Sequence, residues 1–167
     1  MKKIILAAIL FCFTSVFVYA QHDHNHTATI APGKDNLSQL LTTYYGIKDA
    51  LVAGNAGEAS ASAEAFVKTA NGIDYKIISE GNIHALLKDA SAISETADLK
   101  KQREHFARLS ANIITLAKAV KLGTQPAYET YCPMKKVSWL SDSKIVKNPY
   151  YGNAMLSCGN VIETINQ

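Results

Sequence analysis

Cysteine is scarce in this chain: its 167 residues hold three, and Cys12 lies in an N-terminal apolar run. Only Cys132 and Cys158 remain beyond it, which rules out a disulfide-dense scaffold and leaves at most one internal bridge. Charge is also thin, at 19% of residues. The formal net charge of +3 falls to +1 once Lys2 and Lys3 are removed with an export signal, so there is no basic surface for nucleic acid. A second apolar run is missing: Ile4 to Val18 is shorter than the ~20 residues a spanning helix needs, and nothing later replaces it, so no membrane span is expected. No Gly-x-Ser-x-Gly, phosphate-cradling glycine loop or His-Glu-x-x-His is present, and no enzyme is expected. Internal repeats are absent as well.

What is present begins with an export pattern. Lys2 and Lys3 precede the apolar run, and Val18-Tyr19-Ala20 ends on a small residue, which predicts a signal peptide over 1–20 cleaved after Ala20 and a periplasmic or secreted product. Residues 21–34, with Pro32 and Gly33 and no apolar periodicity, read as a disordered leader. It carries His22, His24 and His26 in alternation. Neutral imidazole is a borderline ligand, so this tract suits Cu(II) or Zn(II), although a loose tract selects poorly.

Residues 35–167 read as one domain. Leu37, Leu40, Leu41, Tyr44, Ile47 and Leu51 recur at helical spacing, and Gly54, Asn55 and Gly57 end that helix. Ala59, Ala63, Phe66, Val67 and Ala70 form the inner face of a second, which stops at Asn71-Gly72. Ile83, Leu86, Leu87, Ala90 and Ile93 mark a third. The fourth has Thr96 as its expected cap, Asp98 in its first turn and Gly123 after its end, with Leu99, Phe106, Leu109, Ile113, Leu116 and Val120 as its stripe. Short connections between four amphipathic helices predict an all-α fold, an antiparallel four-helix bundle. Pro126, Pro133 and Pro149, with Gly152 and Gly159, forbid a long helix beyond it. That tail is expected to be an irregular cap with a helical turn near 153–158, held to the bundle by Trp139, Tyr150 and Tyr151.

The cap holds the chemistry. Cys132-x-Met134 and Met155-x-x-Cys158 are two close sulfur pairs, and thiolate with thioether suits Cu(I) best among biological metals. An extended Cys132-Pro133-Met134 sends both sulfurs to one side, and a helical turn does the same for Met155 and Cys158. His105 joins this candidate set if the cap folds over its face of the fourth helix. Zn(II) prefers four thiolate or imidazole ligands and fits two thioethers badly. Each methionine also has an ordinary packing role open to it. Two competing readings use the same cysteines: a Cys132–Cys158 disulfide fixing the cap of a non-metal structural or interaction module, and a redox enzyme with a depressed thiol pKa.

The run Tyr131-Cys132-Pro133-Met134, Trp139-Leu140, Asn148-Pro149-Tyr150-Tyr151-Gly152, Met155-Leu156 and Cys158-Gly159-Asn160-Val161 resembles an exported bacterial domain of unknown function. That domain occurs alone or appended to adaptor subunits of CusB-type heavy-metal efflux pumps. Arg103, Phe106, Leu109 and Ser110 resemble its long-helix pattern. The resemblance implies copper or silver handling outside the cytoplasm, with Cys132, Met134, Met155 and Cys158 at the family's sulfur positions. Cu(I), with Ag(I) as a second candidate, is the expected metal. A heavy-metal efflux adaptor or pump is the expected partner.

Overall fold

The computed structural model describes residues 32–166. Four helices come first: α1 (Pro32–Ala53), α2 (Ala56–Asn71), α3 (Glu80–Ser94) and α4 (Leu99–Ala119). Each packs on the next in sequence, and α1 also meets α4. The leucine, isoleucine and alanine stripes are buried, with Tyr44, Phe66 and Phe106 wholly enclosed. Asn55 caps α2 by accepting the Glu58 amide at 3.1 Å. The cap of α4 is Asp98 and not Thr96: its carboxylate accepts from the Lys100 and Lys101 amides at 2.9 and 3.4 Å. Thr96 stands two residues further out, and its hydroxyl accepts the Asp98 amide at 3.2 Å. A carboxylate at the cap gains from the helix dipole as well as from hydrogen bonding, which favours Asp98.

The chain is not all-α. The tail expected to be irregular forms a three-stranded antiparallel sheet, β1 (Ala127–Cys132), β2 (Val137–Ser141) and β3 (Asn160–Ile165), ordered β2-β1-β3. Tyr128, Thr130, Val137, Trp139, Val161, Ile162 and Thr164 are β-branched or aromatic residues that fit a pleated, half-buried surface. Pro126, Pro133 and Gly159 bound the strands and do not merely interrupt helices. The hairpin between β1 and β2 is closed by Lys136, whose φ of 58° is left-handed and whose amide donates to Cys132 O at 2.8 Å. A 3-10 turn at Gly152–Ala154 stands where a longer helical turn was expected.

The sheet is fastened to the helices at separate points. Tyr44 on α1 is fully buried; its hydroxyl accepts the Leu140 amide of β2 at 3.1 Å and lies 2.7 Å from Ser110 Oγ on α4. Burial drives the Tyr44 pKa well above its ordinary value, so the hydroxyl stays protonated. Buried Lys48 on α1 reaches Asp142, just past β2, at 3.0 Å and Asp49 at 3.2 Å. Lys118 on α4 spans Glu129 of β1 at 2.7 Å and Glu163 of β3 at 2.8 Å. No described helix is long and apolar enough to cross a membrane.

Candidate metal centre

Cys132 is the last residue of β1 and is fully buried. Cys158 precedes β3 and is half-buried. Because Tyr131 pairs with Asn160 in the β1–β3 ladder, the residues flanking that pair are brought alongside each other. The two Sγ atoms lie 3.3 Å apart, with no bond joining them. Gly159 makes this approach possible. Its φ is +149°, and a Cβ there would sit 2.9 Å from Trp139 Cη2 and 3.1 Å from Tyr131 O. Any side chain at 159 would push the Cys158 segment off the sheet.

The loop that delivers Cys158 is organised by Asn148, which is fully buried. Its Oδ1 accepts the Tyr150 and Tyr151 amides at 2.8 and 3.2 Å, an Asx turn across Pro149. Its Nδ2 donates to Cys158 O at 2.6 Å, and its own amide donates to Leu156 O at 2.8 Å. Arg103 on α4 latches the same loop: Nε donates to Pro149 O at 2.9 Å and Nη2 to Leu51 O of α1 at 3.0 Å. Gly152, at φ +55°, lets the loop lie against that latch. A Cβ would meet Arg103 Nη2 at 3.0 Å and Val52 O at 3.1 Å. Trp139 and Tyr150 stand edge-to-face at 5.8 Å, and the Tyr150 hydroxyl donates to Ser138 O at 2.8 Å.

The two thiols differ. Burial pushes the Cys132 pKa up, but the Lys135 amide, the Cys158 thiol, the Asn148 side chain and the Met134 amide together outweigh it and hold Cys132 below its ordinary value. Cys158 is raised, first because its proton is shared with the Cys132 sulfur, then by burial and by the Cys132 charge. The pair therefore holds its first negative charge on the buried sulfur, in a turn whose successive amides favour an anion.

The methionines are placed otherwise than an extended Cys132-Pro133-Met134 would place them. β1 ends at Cys132 and residues 133–136 form the turn, so Met134 contributes its amide to both thiols while its side chain is 65% exposed. Met155 is 37% exposed, and its carbonyl accepts the Cys158 amide at 3.1 Å. His105 is not brought to the sulfurs. It lies on the α3–α4 seam, with Nδ1 3.2 Å from Asp89 Oδ1, and Arg108 Nε donates to the same oxygen at 2.8 Å. At about 100° per residue, position 105 faces away from Ala107, Ala111 and Ile114, which line a groove with Val137 and Ser138 of β2. The cap covers the other side of α4. His22, His24 and His26 lie outside the described residues. Among the described residues no three His, Cys, Asp or Glu side chains converge, so an ion held by the two cysteines must find any further ligand among thioethers or from outside. The supporting roles of Asn148 and Tyr44 were not foreseen; Asn148-Pro149 signalled the turn but not its bond to Cys158.

The family model described as "Protein of unknown function (DUF3347)" matches residues 40–125, just over half of the 167-residue chain. The chain belongs to this family. The DUF3347 match takes in the helices from the middle of α1 to the linker before β1, and contains Arg103 and His105 but none of the four candidate sulfurs. In this DUF3347 chain the dithiol is thus carried by the sheet that follows the matched segment. No curated protein and no solved structure matches the chain.

Proposed function

We propose that this chain is an exported Cu(I)-binding protein that holds the ion between Cys132 and Cys158 and passes it to a heavy-metal efflux partner, acting as a chaperone or sequestering module and not as an enzyme. The approach of the two sulfurs to 3.3 Å in a buried turn carries the reading. With thiolate–metal bonds of about 2.3 Å, as for zinc, the sulfurs lie roughly 3.8 Å apart around a tetrahedral ion and about 4.6 Å apart around a linear two-coordinate one, so from 3.3 Å the pair needs to open by about 0.5–1.3 Å. Two thiolates satisfy a soft ion of low coordination number, and Cu(I) or Ag(I) meets that description better than Zn(II). The exposed thioethers of Met134 and Met155 stand beside the dithiol in sequence and suit transient ligation during exchange. The leader histidines would gather Cu(II) or Zn(II) separately. The resemblance of residues 131–161 to domains on efflux adaptors adds the partner class.

An anaerobic Cu(I) competition titration on reduced protein lacking residues 21–34 tests this. One tight equivalent is expected, lost in Cys132→Ser and in Cys158→Ser. Absence of a tight equivalent, or its survival in both variants, refutes the assignment. The same sulfur proximity favours one second reading, a permanent Cys132–Cys158 disulfide that fixes the cap of an interaction module. Closing 26 positions of sequence would stabilise by roughly 3 kcal/mol. Mass analysis of the exported protein separates the two, since a permanent bridge leaves no free thiol.

A further inference from the structure

The two sulfurs sit between two chemistries. A disulfide bond is about 2.0 Å long, so at 3.3 Å the pair is roughly 1.3 Å too open to be joined and, for a tetrahedral ion, about half an ångström too closed. Small side-chain rotations in opposite senses reach either state. The same orbitals serve both, so the states exclude one another. Access is unequal: Cys132 has no exposed surface, being enclosed at the end of β1, while Cys158 is half-buried beside a glycine and the exposed Ser157. A reagent that must line up with an attacking sulfur can reach Cys158 but not Cys132.

We infer that the dithiol is a reversible disulfide site that gates metal binding, with Cys158 meeting the oxidant and Cys132 resolving the mixed disulfide. The gate rests on the proposed metal reading; the order of the two cysteines does not. The oxidant is a disulfide, RSSR, of the kind an exported protein meets. The Cys158 thiol passes its proton to the Cys132 sulfur 3.3 Å away and attacks one sulfur of RSSR, forming Cys158–S–S–R and expelling RS⁻, which takes that proton from Cys132. Cys132 thiolate then attacks the Cys158 sulfur and expels the second RS⁻. Two protein thiols are oxidised, one disulfide is reduced to two thiols, and the two protons lost by the cysteines pass to the leaving thiolates. A bound Cu(I) leaves in its own oxidation state, because its ligands and not the ion have been oxidised.

The test uses reduced, folded protein and oxidised glutathione, with iodoacetamide trapping and peptide mapping over time. Wild type should pass through a glutathione adduct on Cys158 to a species two hydrogens lighter that dithiothreitol reverses. Cys132→Ser should accumulate the Cys158 adduct, and Cys158→Ser should form an adduct on Cys132 about ten-fold more slowly, because the buried sulfur is closed to the reagent. Early adduct mapping in wild type gives the same order without depending on either variant's folding. Equal or faster labelling of Cys132, or a disulfide formed only after unfolding, overturns the order. Preloading with Ag(I) should slow oxidation about ten-fold or more, and oxidised protein should not retain Ag(I). Ag(I) retained by the disulfide form overturns the gate. If reduced protein binds neither Ag(I) nor Cu(I), the metal reading fails and takes the gate with it, while the order of the cysteines still stands on the labelling.

Discussion

Replacing Asn148 by alanine removes, from one buried position, the donor to Cys158 O and the acceptor of the Tyr150 and Tyr151 amides. Three backbone groups lose their partner at once, and a buried orphan costs about 1–3 kcal/mol. Some of these groups recover water, so Asn148→Ala should lower stability by about 2–4 kcal/mol in urea melts. The variant should also weaken Cu(I) binding, because the Cys158 segment is no longer held against β1. Asn148→Asp keeps the acceptor and loses the donor, and should fall between the two. If Asn148→Ala binds Cu(I) as tightly as wild type, the side chain's part in positioning Cys158 is refuted.

At the scale of elements, Tyr44 joins three of them through one oxygen. Tyr44→Phe keeps the ring stacked on Phe106, with centroids 5.2 Å apart, but leaves the buried Leu140 amide without its acceptor and removes the 2.7 Å contact to Ser110. A loss of about 1–3 kcal/mol is expected, with faster hydrogen exchange in β2 than in α2 as the specific sign that the sheet and not the bundle has loosened. The helices were legible in the sequence because each repeats a buried stripe over many turns: Leu37 to Leu51 and Leu99 to Val120 offer several chances to reveal the period. The strands were not, because each spans five or six residues and shows its period only briefly. Their hairpin also lacks a glycine or asparagine at its left-handed position, which is taken by Lys136. With the turn unseen, Cys132-Pro133-Met134 reads as extended and Met134 as a side-chain neighbour, when its amide is what meets the thiols. The cysteines themselves were legible from scarcity. The remoteness of His105 was not, because it depends on which face of α4 the sheet covers.

For the whole molecule, the ion pair between Lys48 and Asp142 ties the helical layer to the sheet layer and gives a pH dependence of known sign. Burial raises the Asp142 carboxyl, but the Lys48 ammonium outweighs it and holds the group below its ordinary 3.8. A carboxylate depressed in the folded state contributes fully above its unfolded pKa and loses that contribution as pH falls through the folded one. Asp142 is 60% exposed, so solvent screens the pair and the contribution stays under about 1 kcal/mol. Wild type should exceed Asp142→Asn by a small, constant margin above about pH 5, and that margin should vanish by about pH 2. Asp49, 3.2 Å from the same ammonium, keeps Lys48 paired in the variant. A margin that grows on acidification would contradict the assignment.

The strand order β2-β1-β3 has a consequence in time. α1 to α4 meet their sequence neighbours and can assemble as soon as each pair is free to fold. β1 waits for β3, and Cys132 for a partner 26 positions downstream, so the dithiol comes into being only with the last long-range pairing. A silver ion added during refolding is then a clock for that final event: its uptake should lag behind the return of helical circular dichroism, and the length of the lag measures how long the sheet takes to close.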